Sequence, residues 1–307
     1  MSLSNAAKAD IWLILVTILG AIGWILSKEA VLQMPPFLFI SSRFLLAGLL
    51  LLAVGFGQFR ALSWNQYKQA MLVGSIFAIG MCFWIMGLYT GVSISVGSFI
   101  LSSSVIFSPI IANIFFKEKV PISTWSSMPV ALLGLAYLTL TEGFEVQKGQ
   151  LLFILSSLFI ALFFVLNSRA ANDQTGVAAS EKVPALPLTT LSLLTVGVSV
   201  AFVSFALESW SSAAENYSTN LLAWVLASAF IATALRFFMQ TYAQSLSMAS
   251  HGVVIMVVEP IWTALLAAAW FAESLSGNDL IGCVLIFAAV IIIRWTLIQG
   301  LFKRSTG

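Results

Sequence analysis

Three charged side chains, Arg43, Arg236 and Glu259, stand well inside stretches of this chain that are otherwise apolar. A charge at the centre of a bilayer costs at least about 2.5–3.5 kcal/mol, so each needs a reason to be there. Arg236 lies about twelve residues before a bend near Ser247–Met248, and Glu259 about eleven after it. In two antiparallel helices rising about 1.5 Å per residue, that spacing puts both at one depth. They are expected to face each other or to share a polar cavity. Two roles are open. The pair can lock two helices together, or it can line a binding site. In a site, the Arg236 fork suits a carboxylate, and Glu259 suits an ammonium group or a coupling proton. Gln240, four residues after Arg236, extends the same face, and Gln244 is four further. His251 is eight residues before Glu259, about two turns. It is either an interfacial residue bonded to a loop carbonyl or a proton relay toward Glu259. Pro260 removes a backbone donor beside Glu259 and can kink its helix. Arg43, seven residues into its apolar stretch, is expected near a water-facing end. There it would snorkel or pair with Glu29 or another outer-side acid, in a structural or gating role.

Aromatic residues offer walls for such a site. Trp24, Trp84, Tyr89 and Trp262 could line a pocket and hold a cation over a ring, and core packing serves each singly just as well. Trp12, Trp64, Trp125, Trp210 and Trp295 lie near the ends of apolar stretches, as interfacial anchors do. Ser102, Ser103, Ser104 and Ser108 form a hydroxyl-rich run. Close helix packing explains it, with Ser104 also a candidate for substrate contact. Pro109 joins Pro260 as a gating or structural position. Gly20, Gly23, Gly74, Gly97 and Gly134 suggest close packing.

These residues must be positioned by membrane-spanning helices. Hydrophobic residues make up 60% of the 307 residues, charged residues 8%, and the mean hydropathy is +1.02. Soluble domains carry about 25% charged residues. The net charge of +2 gives no footing for nucleic acid. Cys82 and Cys283 sit alone in apolar segments, so neither a disulfide nor a metal is expected, and no cofactor motif is present. About 20 apolar residues cross a bilayer. The breaks give ten spans, at roughly 10–28, 36–57, 69–90, 95–116, 124–141, 149–168, 187–207, 221–244, 250–272 and 278–299. The apolar runs are continuous and not alternating, which favours helices over a barrel.

The ten spans fall into two copies. Ser95–Glu118 aligns without a gap to Ser250–Glu273, at an offset of 155 residues, and Met34–Gly48 aligns to Val183–Gly197, at an offset of 149. Ile11–Leu26 resembles Leu151–Leu166, so the first apolar run is read as a retained helix and not as a cleaved leader. The expected units are residues 1–145 and 146–307, five spans each. An odd number of spans makes the second copy enter from the opposite face, giving an inverted repeat. With both termini cytoplasmic, ten basic residues face inward and only Lys28 and Lys148 face outward.

The chain resembles the EamA-type exporters of the drug/metabolite transporter superfamily. The resemblance rests on the ten-span plan, Trp24, the Pro36-then-Arg43 opening of the second span, and EPIWTALLAAAWFAE, where Pro260 precedes Glu273. The first copy departs from this pattern, with Val105 in place of that proline and Pro109 four residues later. The second copy has Ser192 in place of Arg43. The resemblance implies a bacterial inner-membrane protein that exports amino acids or similar metabolites. It also implies proton coupling in some members and a central cavity lined by spans 1, 3, 4, 6, 8 and 9. The expected partners are a small-molecule substrate, protons and membrane lipid, for a monomer or a homodimer. A multidrug or cationic-compound exporter is the alternative. An intramembrane enzyme would need a nucleophile–base set or a metal cluster, and a channel would need a polar stripe along a whole pore. The chain shows neither, nor a Walker A loop.

Overall fold

The computed structural model describes residues 5–117, 122–139, 147–172, 182–210, 218–246, 256 and 258–305. They form α1 (Asn5–Val31), α2 (Pro36–Phe59), α3 (Trp64–Tyr89), α4 (Ile94–Ser102), α5 (Ser104–Phe116), α6 (Ile122–Thr139), α7 (Lys148–Ala171) and α8 (Ala185–Leu207). Then come α9 (Thr219–Ala229), a π-helical segment (Phe230–Leu235), α10 (Arg236–Leu246), α11 (Glu259–Phe271) and α12 (Gly277–Ser305). The protein is an all-helical membrane protein with ten helical spans among its described residues. Seven of these are long and apolar enough to cross a membrane.

Two spans are not single α-helices. The expected 95–116 span is broken at Ser103 into α4 and α5, and the expected 221–244 span contains the π segment. Span ends also differ from the hydropathy breaks, as at α3. That helix starts at Trp64 and not near residue 69. Ser63 Oγ accepts from the Gln66 amide while Gln66 Oε1 accepts from the Ser63 amide at 2.8 Å, a capping box that winds a polar first turn.

Helix pairing follows a pseudo-two-fold pattern. α2 packs on α8, and α6 on α12. The α3–α7 pair is matched by α1–α10, and α5–α7 by α1–α11. Exchanging the two halves maps each of these pairs onto another or onto itself. Close approach shows the same relation. A Cβ on Gly48 would sit 2.7 Å from Leu194, and a Cβ on Gly197 would sit 2.7 Å from Leu45. The two glycines and the two leucines are each 149 residues apart. In lipid, packing and not apolar burial drives helices together, so small residues at such contacts decide the crossing. Gly20, Gly74, Gly97 and Gly134 all sit at tight contacts too. Outside the bundle, Leu49, Val54, Phe56, Phe202 and Phe205 face outward, as a lipid-facing belt does.

Three acids fasten one end of the bundle. Glu273, just past α11, accepts from the Ile94 and Ser95 amides at 3.1 and 3.3 Å and from the Ser93 and Ser95 hydroxyls at 2.7 and 3.1 Å. Glu208, past α8, accepts from the Phe37 and Leu38 amides at 2.8 and 2.9 Å. Glu29 accepts from the Trp270 indole at 2.8 Å. Carboxylates at helix N-termini satisfy amides that have no partner within their own helix. Replacing Glu273 with Ala should cost about 0.5–2 kcal/mol by loss of the cap. Thermal unfolding in detergent checks this. An unchanged midpoint would mean that the cap contributes nothing to stability.

Candidate substrate site

A cavity lies between the halves, lined from α1, α2, α3, α4, α5, α7, α10 and α11. Arg236 and Glu259 meet in it, with Nη2 to Oε2 at 2.7 Å. Backbone irregularity aims both side chains. Arg236 is the first residue after the π segment. Glu259 is the first residue of α11, followed by Pro260, where the helix dipole favours its carboxylate. α1 leaves room for the pair through Gly20, since a Cβ there would sit 2.5 Å from the Glu259 carboxyl carbon. The Arg236 guanidinium also lies 5.0 Å from the Phe237 ring centre.

One turn on, the Gln240 side chain is fully buried against the same cavity. Neither its amide nitrogen nor its amide oxygen has a hydrogen-bond partner among the described residues, and neither does Arg236 Nε. Gln244 is different: it accepts from Asn167 Nδ2 at 2.6 Å and ties α10 to α7.

Of the residues singled out in the sequence, Trp24, Trp84, Ser104, Arg236, Gln240, Glu259 and Pro260 line this cavity together. Trp24 and Trp84 meet edge to face at 5.0 Å between ring centres. Tyr89 and Trp262 do not join them. The buried face of α3 carries Phe77, Met81, Trp84 and Leu88, and Tyr89 falls off it, 57% exposed at the last turn. In α11 the buried face is Glu259, Thr263 and Ala267, four residues apart each time, which turns Trp262 outward. Pro109 lies inside α5 and does not line the cavity. His251 lies outside the described residues.

Arg43 corrects the expectation of a residue that snorkels or pairs with Glu29 or another outer-side acid. It is buried, only 3% exposed, and lines the cavity. Its Nη1 donates to Ser27 Oγ at 2.7 Å, its Nη2 to the Ala232 carbonyl at 3.2 Å, and its Nε to Thr233 Oγ1. Two of those acceptors come from the π segment, whose wider turn offers groups to outside donors. Thr233 in turn donates to Ser228 O at 2.8 Å. No residue type announces a π turn, so nothing in the order of residues foretells this contact. Counting depth from Pro36 placed Arg43 correctly along its helix but could not show that the cavity reaches that far.

Repeat register relates several of the wall residues. Arg236 and Glu259 correspond to Met81 and Ser104, and all four line the cavity. Ile160 and Phe164 also line it, and they occupy the positions of Gly20 and Trp24 in the Ile11–Leu26 and Leu151–Leu166 match.

The profile of the EamA-like transporter family matches residues 7–140 and again 147–295. The chain belongs to the EamA-like transporter family. Among its relatives, an uncharacterized transporter of Archaeoglobus fulgidus is 27% identical over 285 residues, covering 93% of this chain and 85% of the relative. A second uncharacterized transporter of that organism is 25% identical over 181 residues, covering 59% of this chain and 60% of its own length. A crystal structure of another protein shares the fold at a TM-score of 0.65 and 16% identity, over 93% of this chain and 96% of that one. This EamA-like protein is thus a membrane transporter, and its central cavity is the place to look for substrate contacts.

If the Arg236–Glu259 contact holds α10 to α11, Arg236→Ala should destabilise the protein by about 3–5 kcal/mol, because it strands a buried carboxylate. Adding Glu259→Ala should restore much of that loss. Unfolding midpoints of the two single variants and the double variant make the test, and purely additive losses would deny direct coupling.

Proposed function

We propose that this EamA-like protein is a secondary active transporter for amino acids or close derivatives, working by alternating access and exporting them from the cytoplasm. In this reading residues 1–145 and 146–307 are the two moving units, and their odd span number inverts one relative to the other. Both termini face the cytoplasm of a bacterial inner membrane, as the excess of basic residues at one end supports. Protons are the candidate coupling ion.

The observation that carries the reading is the Gln240 amide, buried without a partner among the described residues beside the Arg236–Glu259 pair. Buried polar groups are bonded in the great majority of cases. An amide with a free donor and a free acceptor, next to a guanidinium with a free Nε, is a polar cluster ready for a ligand's own polar groups. Trp24, Trp84 and Phe237 supply apolar walls for the rest of it. Glu259 can alternate between its bond to Arg236 and a proton, which would free Arg236 for a polar group of the substrate and tie transport to the proton gradient.

Labelled amino acids and their acylated and deaminated derivatives should be tested for uptake into proteoliposomes, with and without an imposed pH gradient. Wild type should accumulate at least one of them. Glu259→Gln should either lose that uptake or lose its response to pH while keeping the wild-type elution profile on gel filtration. Full, pH-responsive uptake by Glu259→Gln would sink the proposed role of Glu259.

A further inference from the structure

The charge around the cavity does not balance. Among the described residues its charged lining consists of Arg43, Arg236 and Glu259. Arg236 and Glu259 answer each other at 2.7 Å. Arg43 has only neutral acceptors, two hydroxyls and one carbonyl. These take three of the five N–H donors of a guanidinium and leave one on each Nη atom. The rings of Phe39, Phe44 and Trp84 lie 5.7–6.0 Å from its central carbon and soften the cost of its burial without neutralising it. A buried charge ordinarily has a counter-charge, and the protein supplies none to Arg43 by direct contact among the described residues.

We infer that the missing counter-charge belongs to the substrate, and that the cavity selects a monocarboxylate with an aromatic or bulky apolar body and no free ammonium group. The carboxylate sits against the two free Nη donors of Arg43, in the forked geometry that guanidinium offers to carboxylates. Gln240 and Arg236 Nε bond the remaining polar atoms, such as an acyl-amide carbonyl. The body lies among Trp24, Trp84, Phe77 and Phe163. An ammonium group would be repelled by Arg43 and would find Glu259 already held by Arg236. Within the class of amino acids and derivatives, this favours N-acylated or deaminated members over free amino acids, and it disfavours cations. The inference rests on the cavity being the substrate site.

Three probes with one ring and different charges test it: 3-phenylpropionate, phenylalanine and 2-phenylethylamine. Their affinities for the purified protein in detergent follow from ligand-dependent shifts of the unfolding midpoint. The expected order is anion, then zwitterion, then cation, with the anion at least about tenfold tighter than the zwitterion, the size of one charge-assisted contact. Arg43→Gln should weaken the anion about tenfold to a hundredfold and flatten the order. Arg43→Lys, which keeps the charge but not the fork, should preserve the order with weaker binding. If Arg43→Gln does not fold, the order in wild type still decides. The inference is overturned if the zwitterion or the cation binds wild type as well as the anion, if none of the three binds, or if Arg43→Gln binds the anion unchanged. Anion binding that survives Arg43→Gln but not Arg236→Gln would remove Arg43 and leave the cavity as the site. Binding that survives both would remove the cavity, and the proposed function with it.

Discussion

The bilayer interior offers no water to an unpaired polar group, and the centre of this protein is arranged around that constraint. Its most exacting expression is the contact between Arg236 and Glu259. An ion pair taken out of water gains Coulomb energy and loses hydration, and the two are of similar size, so such a contact survives only with good geometry. Here the geometry comes from two departures from regular helix and one missing side chain. The π segment delivers Arg236, the start of α11 at Glu259 delivers the carboxylate to a positive helix end, and Gly20 clears the space between α1 and the pair. Each departure would weaken a simple packing helix. Their convergence on one contact indicates a place where position was favoured over regularity.

The two halves share a backbone plan but not a chemistry. α5 begins at Ser104 and α11 at Glu259, 155 residues apart; α5 ends at Phe116 and α11 at Phe271, again 155 apart. Each is followed by a non-glycine residue in the left-handed region, Lys117 at φ 55 and Ala272 at φ 53. A left-handed residue closes a helix by bonding its last carbonyls, at some steric cost for a side chain. The same closure at the same register in both halves, by two unlike residues, shows that the repeat governs the path of the chain. Side chains then diverge on that path. Met81 and Ser104 face Arg236 and Glu259 across the pseudo-two-fold as their register partners. One half thus brings an ion pair at this register and the other a thioether and a hydroxyl, so a ligand would meet unlike surfaces on its two sides.

Much of this was legible from residue order, for physical reasons. Counting a fixed rise per residue on either side of a bend near Ser247–Met248 brings Arg236 and Glu259 to one depth, and the two side chains meet, although the bend itself lies outside the described residues. Trp24, Trp84, Gln240 and Pro260 stood out because polar or bulky residues deep in a span are unusual. Other features were hidden because no residue type signals them. The break at Ser103 lay in a serine run that packing explains equally well, and Ser103 does pack, hydrogen-bonding Ser157 at 3.3 Å. The π segment, FIATAL, is apolar and unremarkable. Arg43 was misjudged because depth along a helix says nothing about which neighbour a side chain meets. Tyr89 and Trp262 failed for the complementary reason, since their depth was suitable but their angular position was not.

The distribution of strong and weak contacts also bears on how the halves could move. The α2–α8 interface is packed backbone to side chain, with Gly48 against Leu194 and Gly197 against Leu45. Separating it would forfeit dispersion contacts that lipid chains replace poorly. The end fastened by Glu29, Glu208 and Glu273 is different, because its bonds join partly exposed carboxylates to amides, hydroxyls and an indole. Each such bond contributes on the order of 1 kcal/mol, and water can take its place. Rocking of the halves would therefore keep α2 against α8 as a pivot and release the acid caps first. The central pair joins α10 to α11 and packs on Gly20 of α1, so a change in its bonding can be felt by all three helices at once. A substrate that exchanged partners with Arg236 and Glu259 would act on the contact that joins all three helices.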